Sequence, residues 1–224
     1  MDLDIYDGEI FTLLGGSGEG KSVFLKNIIG LMKPDAGSVE IDGEEITQLS
    51  YNRLLKVQVK VGMMFQGGAL FDSLTVGENV AFGLKRLSSH NKDEIESLVR
   101  KYLKMVRLEG VEDELPEKLS IGMKRRVALA RAIATQPKYI FYDEPTTGLD
   151  PIITKAVCDI FLELRKELNV TSVIVTHELD TAFKVSDRVG LLYKGVIREA
   201  ETIEKFKKSD DPYVKEFIKG FREA

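Results

Sequence analysis

The sequence predicts an α/β fold, a mainly parallel sheet covered on both faces by helices, with a helical insertion between two of its strands. Three observations carry that expectation. Short runs rich in Val, Ile, Phe and Tyr alternate with stretches of helical periodicity, the pattern of parallel strands joined by crossover helices. A glycine run follows the first strand and opens a helix. From about residue 67 to about 136 the strand pattern gives way to helix. One domain is expected over 1–224, with a sheet-bearing core at about 1–66 and 137–224 and a helical subdomain at about 67–136.

In chain order, residues 9–14 are a short buried strand feeding Gly15, and 22–31 an apolar-faced helix. Residues 37–46 alternate around Asp42-Gly43, a hairpin signal. Residues 59–65 form the next strand. In the helical stretch, Asn91 with Glu94 three residues on makes a capping box, and Ile95, Leu98, Val99, Tyr102 and Val106 keep helical spacing. Residues 120–134 are helix, 139–142 strand, 152–168 helix, and 172–176 and 189–193 strands.

Composition narrows the function. Apolar residues make up 43% of the chain and charged residues 30%, as in an ordinary globular protein. Net charge is −4, from 32 Lys and Arg against 36 Asp and Glu, so nucleic acid is not an expected partner. The single cysteine, Cys158, falls on an apolar-patterned helix and is expected in the core, consistent with a reducing compartment. No stretch approaches the roughly 18 consecutive apolar residues of a membrane span. The start, Met1-Asp-Leu-Asp, lacks the basic and apolar regions of a signal peptide. Any role at a membrane is expected to run through a partner.

Two segments carry chemistry. Gly15-Gly16-Ser17-Gly18-Glu19-Gly20-Lys21-Ser22 is a complete phosphate-binding loop, with a strand before and a helix after. Its glycines let successive backbone N–H groups wrap phosphate oxygens without Cβ clashes. Lys21 brings a mobile positive charge to the β- and γ-phosphates, and the Ser22 hydroxyl suits Mg2+. The second segment, Tyr139-Ile140-Phe141-Tyr142-Asp143-Glu144, is an apolar strand ending in two carboxylates at the edge where open α/β sheets bind ligands. Asp143 suits the metal. Glu144 then points at the γ-phosphate, where it orients or deprotonates the attacking water.

Between and after these anchors, Leu119-Ser120-Ile121-Gly122-Met123 resembles the signature of the ABC (ATP-binding cassette) family, usually LSGGQ. Gln66 matches the Q-loop glutamine, Gly148-Leu149-Asp150 the D-loop, and His177, after Val173-Ile174-Val175-Thr176, the switch histidine. The elements follow the family's order across essentially the whole chain. The resemblance implies a P-loop NTPase that binds ATP and Mg2+ and works as a dimer, with ATP sandwiched between two copies. In that arrangement Ser120 and Gly122 face the γ-phosphate held by the second copy, and Asp150 sits at the seam. Gln66 contacts Mg2+ and the attacking water, and His177 hydrogen-bonds the γ-phosphate. Glu144, His177 and Gln66 are thus the implied catalytic residues, and Ser22, Gln66 and Asp143 the implied metal contacts.

A finer resemblance lies in the run from Phe65 to Val76, with Glu78-Asn79-Val80-Ala81-Phe82 following. It is similar to the ATPases of Mla-type (maintenance of lipid asymmetry) phospholipid transporters, as are Met123 and the tail from Asp211 to Gly220. That resemblance implies a peripheral subunit on the cytoplasmic face of the inner membrane. Its partners would be an integral membrane permease and a periplasmic MCE-domain lipid-binding protein. An ATPase of another ABC importer or exporter has the same core motifs. A soluble ABC ATPase of ribosomes or DNA usually carries tandem cassettes or basic arms, neither of which is present. A small-molecule kinase would explain Lys21 and Asp143 but not Ser120, Gln66 and His177 together.

Two departures from the family pattern stand out. The family's usual N-terminal strands and adenine-stacking aromatic do not precede Met1, which implies either a misplaced start, the favoured reading, or weak base stacking and poor nucleotide selectivity. Ile121 replaces the first signature glycine. If that position needs positive φ, a β-branched residue there is strained, and its bulk crowds the phosphate of the second copy. On this reasoning Ile121→Gly is expected to raise ATP turnover, and an unchanged or lower rate rejects it.

Overall fold

The computed structural model describes residues 2–87 and 89–222; Met1, and with it the expectation about the start, lies outside them. The first strand and helix are β1 (Ile10–Leu14) and α1 (Lys21–Ile28). A small hairpin, β2 (Glu40–Ile41) and β3 (Glu44–Glu45), leads through α2 (Tyr51–Gln58) to β4 (Val61–Met64). Then come α3 (Val76–Leu87), α4 (Lys92–Met105) and α5 (Ile121–Ile133). The chain returns to the sheet with β5 (Tyr139–Asp143), α6 (Pro151–Leu168), β6 (Thr171–Thr176), α7 (Leu179–Val185) and β7 (Arg188–Tyr193). It finishes with β8 (Val196–Thr202), α8 (Ile203–Phe206) and α9 (Pro212–Arg222).

The main sheet has six strands in the order β4-β5-β6-β1-β7-β8. All its pairings are parallel except β7 with β8. Period-two alternation feeds apolar side chains to both faces. Phe11, Leu13, Phe141, Val173 and Val175 pack with Leu25 and Ile29 on the side of α1. Ile10, Ile140, Tyr142 and Ile174 pack on the other side with Val127 and Leu129 of α5, and with Cys158 and Phe161 of α6. Each fully buried Leu, Ile or Phe contributes about 1.5–3 kcal/mol. The expected α/β fold is present, and Cys158 is a core residue at 1% exposure.

Helices α3 to α5 come between β4 and β5, which are neighbours in the sheet. Their apolar faces share one core with it, so Val80, Tyr102 and Leu103 pack in the same cluster as Met64 and Ile140. Gly62 in β4 permits this close fit. A Cβ there would stand 2.4 Å from the Ala132 carbonyl oxygen of α5. The Asn91–Glu94 capping box forms as expected.

Several local outcomes differ from the sequence reading. α1 ends at Ile28, because Gly30 turns left-handed and the Leu31 N–H reaches back 2.8 Å to the Lys26 carbonyl. α2 was not foreseen; it buries only Val57, so it lacks a core stripe. β8 was missed because its hairpin turn is Lys194-Gly195, both with positive φ, rather than the stronger Asn-Gly or Asp-Gly signal. α7 and α8 are short, and α7, α8 and α9 bury Leu179, Phe206 and Val214 in one cluster with Val189 and Leu191 of β7.

The Asp42-Gly43 turn is tied to the sheet by an ionic cluster. Asp42 accepts hydrogen bonds from the Lys138 ammonium, from Lys60 Nζ at 2.9 Å and from the Tyr139 hydroxyl at 2.5 Å. The hydrogen bonds from Lys138, Tyr139 and Lys60 hold its carboxyl well below the usual aspartate range. Stability from a depressed carboxylate is present above the unfolded pKa of about 3.9 and is lost as pH falls through the folded value. Asp42→Asn is therefore expected to lower Tm at neutral pH, with the gap to wild type closing below about pH 4. Calorimetry across pH checks this, and a gap independent of pH would refute it.

Candidate functional site

The parallel strands all finish at one edge of the sheet, and the loops beyond that edge carry the singled-out residues. Leu14 pairs with Thr176, Asp143 with Val175, and Met64 with Tyr142. The glycine loop, Gln66, Glu144 and His177 therefore follow neighbouring strand ends.

The loop from Gly15 to Ser22 wraps the start of α1. Gly15 lies so close to β7 that a Cβ would stand 2.9 Å from the Leu192 carbonyl oxygen. Gly20 caps the helix at φ 99 with no side-chain hydrogen bond, so the first-turn N–H groups receive no capping side chain. Such a turn is suited to an anion. Lys21 is only 6% exposed. Its ammonium donates to the carbonyls of Gly15 at 2.9 Å and Gly16 at 3.0 Å, and pairs with Glu144 Oε1 at 3.1 Å. The Glu19 carboxylate is engaged elsewhere, accepting from the Lys194 N–H at 2.5 Å.

Glu144 is 7% exposed and has φ 47, a left-handed conformation costly for a non-glycine residue. Its Oε2 accepts from Thr147 Oγ1 at 2.8 Å and Thr176 Oγ1 at 3.2 Å, and lies 3.0 Å from His177 Nδ1. Burial pushes the Glu144 carboxyl up. The Thr147 hydroxyl, the Lys21 charge and His177 together outweigh that and leave it below the usual glutamate range. Asp143 goes the other way: burial raises it and the neighbouring Glu144 charge adds to the rise, against the pull of Ser22.

The Ser22 hydroxyl donates to Asp143 Oδ1 at 2.9 Å. The pair offers hard oxygen donors beside the phosphate loop. Among the described residues no group of three or more His, Cys, Asp and Glu could hold a metal ion. A cation at Ser22 and Asp143 would thus take its remaining ligands from phosphate and water, the habit of Mg2+. The donor set fits that ion.

Ser120 caps α5 by accepting from the Met123 N–H at 3.3 Å. Asp150 caps α6, with Oδ1 accepting from Ile152 and Ile153 N–H at 3.0 Å each. The two helix starts touch, since a Cβ on Gly122 would lie 2.8 Å from Ile153 Cγ2. Among the described residues no hydrogen bond joins Ser120, Gly122 or Asp150 to the Lys21–Glu144 cluster. Gln66 is exposed and makes no hydrogen bond to that cluster either. Ile121 needs a correction. It is the first helical residue of α5 and is not among the positive-φ residues, so the backbone strain expected for it is absent. What remains is its bulk, 63% exposed at the helix start.

Thr147 and Thr176, which hold Glu144, were not singled out from the sequence. Their positions, three residues after Glu144 and immediately before His177, were the available signal. The loop after Gln66 is also held in a way the sequence did not reveal. Gly67, Gly68 and Ala69 are left-handed, and Arg131 of α5 donates to the carbonyls of Gly68 at 2.8 Å and Ala69 at 2.7 Å.

A family model described as ABC transporter matches residues 1–147. A protein of Mycobacterium leprae named as a probable ribonucleotide transport ATP-binding protein, mkl, is 39% identical over 99% of this chain and 64% of its own length. The methionine import ATP-binding protein MetN of Carboxydothermus hydrogenoformans is 41% identical over 97% of this chain and 65% of its own length. The chain thus spans just under two thirds of these curated relatives. Among solved structures, a dimer of the ATP-binding cassette MJ0796 in a post-hydrolysis state with ADP and Pi has TM-score 0.83 and 34% identity, covering 90% of this chain and 88% of that one. CbiO1 of Clostridium perfringens, part of the ABC transporter complex cbiONQ, has TM-score 0.85 and 31% identity, covering 96% and 85%. With its phosphate loop, paired carboxylates and signature helix set on that fold, the chain belongs to the ABC transporter family.

Proposed function

We propose that the chain is the ATP-hydrolysing subunit of an ABC transporter, driving a separate membrane permease. The observation that carries this is the buried contact of Lys21 with Glu144, beside the Ser22–Asp143 pair. The loop N–H groups and Lys21 bind the phosphates, and Ser22, Asp143 and Gln66 hold the metal. Mg2+, when bound, neutralises charge on the β- and γ-oxygens. Glu144, kept ionised, orients the attacking water and accepts its proton. His177 hydrogen-bonds the γ-phosphate from beside Glu144.

The active unit is a pair of chains. Ser120 and Gly122, at the start of α5, and Asp150, at the start of α6, make no hydrogen bond to the cluster within one chain. They serve the nucleotide of a second copy, a reading supported by the dimeric cassette among the similar structures. The residues from about 67 to 136 form the helical subdomain that carries this surface.

The permease takes the chain to the membrane; among the described residues no helix is long and apolar enough to cross one. We assign the cargo as phospholipid, with an MCE-domain protein as third partner, at the cytoplasmic face of the inner membrane. The resemblance of the run from Phe65 to Val76 to the ATPases of phospholipid transporters supports it. Phe71, 42% exposed and 4.6 Å ring to ring from Phe82, presents an apolar patch beside the Gln66 loop that suits a permease of any cargo. A second reading is import of a small solute, favoured by the names of the methionine and ribonucleotide relatives.

Glu144→Gln is expected to keep ATP binding, lower turnover about 100-fold or more, and trap an ATP-bound dimer. Lys21→Ala is expected to lose nucleotide binding instead. Nucleotide affinity, phosphate release and size-exclusion chromatography measure both, and near-wild-type turnover of Glu144→Gln would remove the assigned base. To identify the cargo, the tagged chain is purified with its membrane partners and examined by mass spectrometry. A permease with an MCE-domain protein and phospholipid is expected; a permease with a solute-binding protein refutes the lipid assignment.

A further inference from the structure

Arg125 lies on α5, one turn beyond the Ser120 cap, and is only 7% exposed. Its Nη2 donates one long hydrogen bond, 3.4 Å, to the Thr147 carbonyl. Nε and Nη1 are buried with no hydrogen-bond partner. Buried charged groups normally have their donors satisfied, because burial strips away the water that would otherwise serve them. Two carboxylates bring their charges to bear on this guanidinium, those of Glu144 and Glu178. Both have other partners. Glu178 Oε2 accepts from Thr146 Oγ1 at 2.5 Å and Thr181 Oγ1 at 3.1 Å, while Glu144 is held by Lys21, Thr147, Thr176 and His177.

The Lys21 ammonium has three protons and three acceptors, all supplied by the protein: two loop carbonyls and Glu144. To bind a phosphate oxygen it must release at least one of them. Release of Glu144 removes a cation 3.1 Å from that carboxylate. Arg125 is then a buried cation with unused donors on which the Glu144 charge already acts, and it already touches the residue whose hydroxyl holds Glu144.

We infer that Arg125 is a positioning residue that takes over from Lys21 in holding Glu144 and its Thr147 segment once Lys21 engages phosphate. This rests on the ATPase reading and extends it. Because Arg125 and Ser120 share one helix, seating of the helix start on a second copy's nucleotide is transmitted to the water-orienting carboxylate of the same chain. Arg125 acts on the chemical step and leaves nucleotide affinity alone.

The test uses the full chain with Arg125→Met and Arg125→Lys. Tm is read without nucleotide, Mg-ATP affinity with a fluorescent ATP analogue, and kcat and KM by phosphate release. Replacing a poorly paired buried cation by an apolar side chain should leave Tm unchanged or raise it. In Arg125→Met, kcat should fall about 10-fold or more with affinity and KM within about 3-fold of wild type. Arg125→Lys should recover part of kcat. A kcat for Arg125→Met within about 3-fold of wild type overturns the inference. So does a large drop in Tm with kcat and affinity falling together and no recovery by lysine, which marks a structural role. Wild type that binds ATP but does not hydrolyse it overturns the ATPase reading and this inference together; a fully active wild type with an equally active Arg125→Met overturns this inference alone.

Discussion

The site is organised around one buried ammonium. Lys21 has almost no access to water, so the fold must supply acceptors for all its protons. It does so from two elements distant in sequence: the carbonyls of Gly15 and Gly16 after β1, and the carboxylate of Glu144 after β5. That demand ties the loop and the strand end together. Together with the Thr147 hydroxyl and His177, the Lys21 charge keeps the Glu144 carboxyl, although buried, below the usual glutamate range. The same carboxylate gathers Thr147, Thr176 and His177, so one charge pair fixes the relative placement of three strand ends.

The parallel sheet makes this convergence possible. Because β1, β4, β5 and β6 run the same way, their last residues come out at one edge whatever the length of chain between them. The insertion of α3 to α5 between β4 and β5 therefore costs the site nothing in alignment. α5 seats directly on β4 through Gly62, and this helix carries the Ser120 cap at one end and Arg131 at the other. Arg131 grips the Gly68 and Ala69 carbonyls, and Asn79 of α3 donates to the carbonyls of Phe71, Leu74 and Thr75. The loop after Gln66 is thus held from two helices of the insertion. Displacement of those helices would carry that loop with them.

Two of the seven non-glycine residues with positive φ among the described residues fall in these functional segments. Glu144 at φ 47 and Ala69 at φ 45 are non-glycine residues in the left-handed region, where a side chain is unfavourable. Packing on either side compensates. The Glu144 N–H is anchored to the Val175 carbonyl at 2.9 Å, while the Ala69 carbonyl is anchored by Arg131 at 2.7 Å. Ile121 shows the opposite case. An unusual residue in a key motif adopts an ordinary helical backbone, so its effect has to be sought in its exposed bulk.

The sequence alone determined the fold class, most strands, the capping box at Asn91 and the strand-end positions of the glycine loop and of Asp143 and Glu144. These are local properties: period-two and helical patterning, left-handed turn residues, and donors spaced along one segment. Tertiary structure alone decided which groups meet. That Lys21 rests on Glu144, that Thr147 and Thr176 hold the same oxygen, and that Arg125 is buried with unused donors all depend on contacts between segments far apart in the chain. β8 was also decided there, by pairing along the edge of β7, and the terminal helices by covering Val189 and Leu191 of that strand. Patterning along a chain reports which face of an element is apolar. It does not report which distant polar group will arrive to satisfy a buried charge, because that partner is selected by packing.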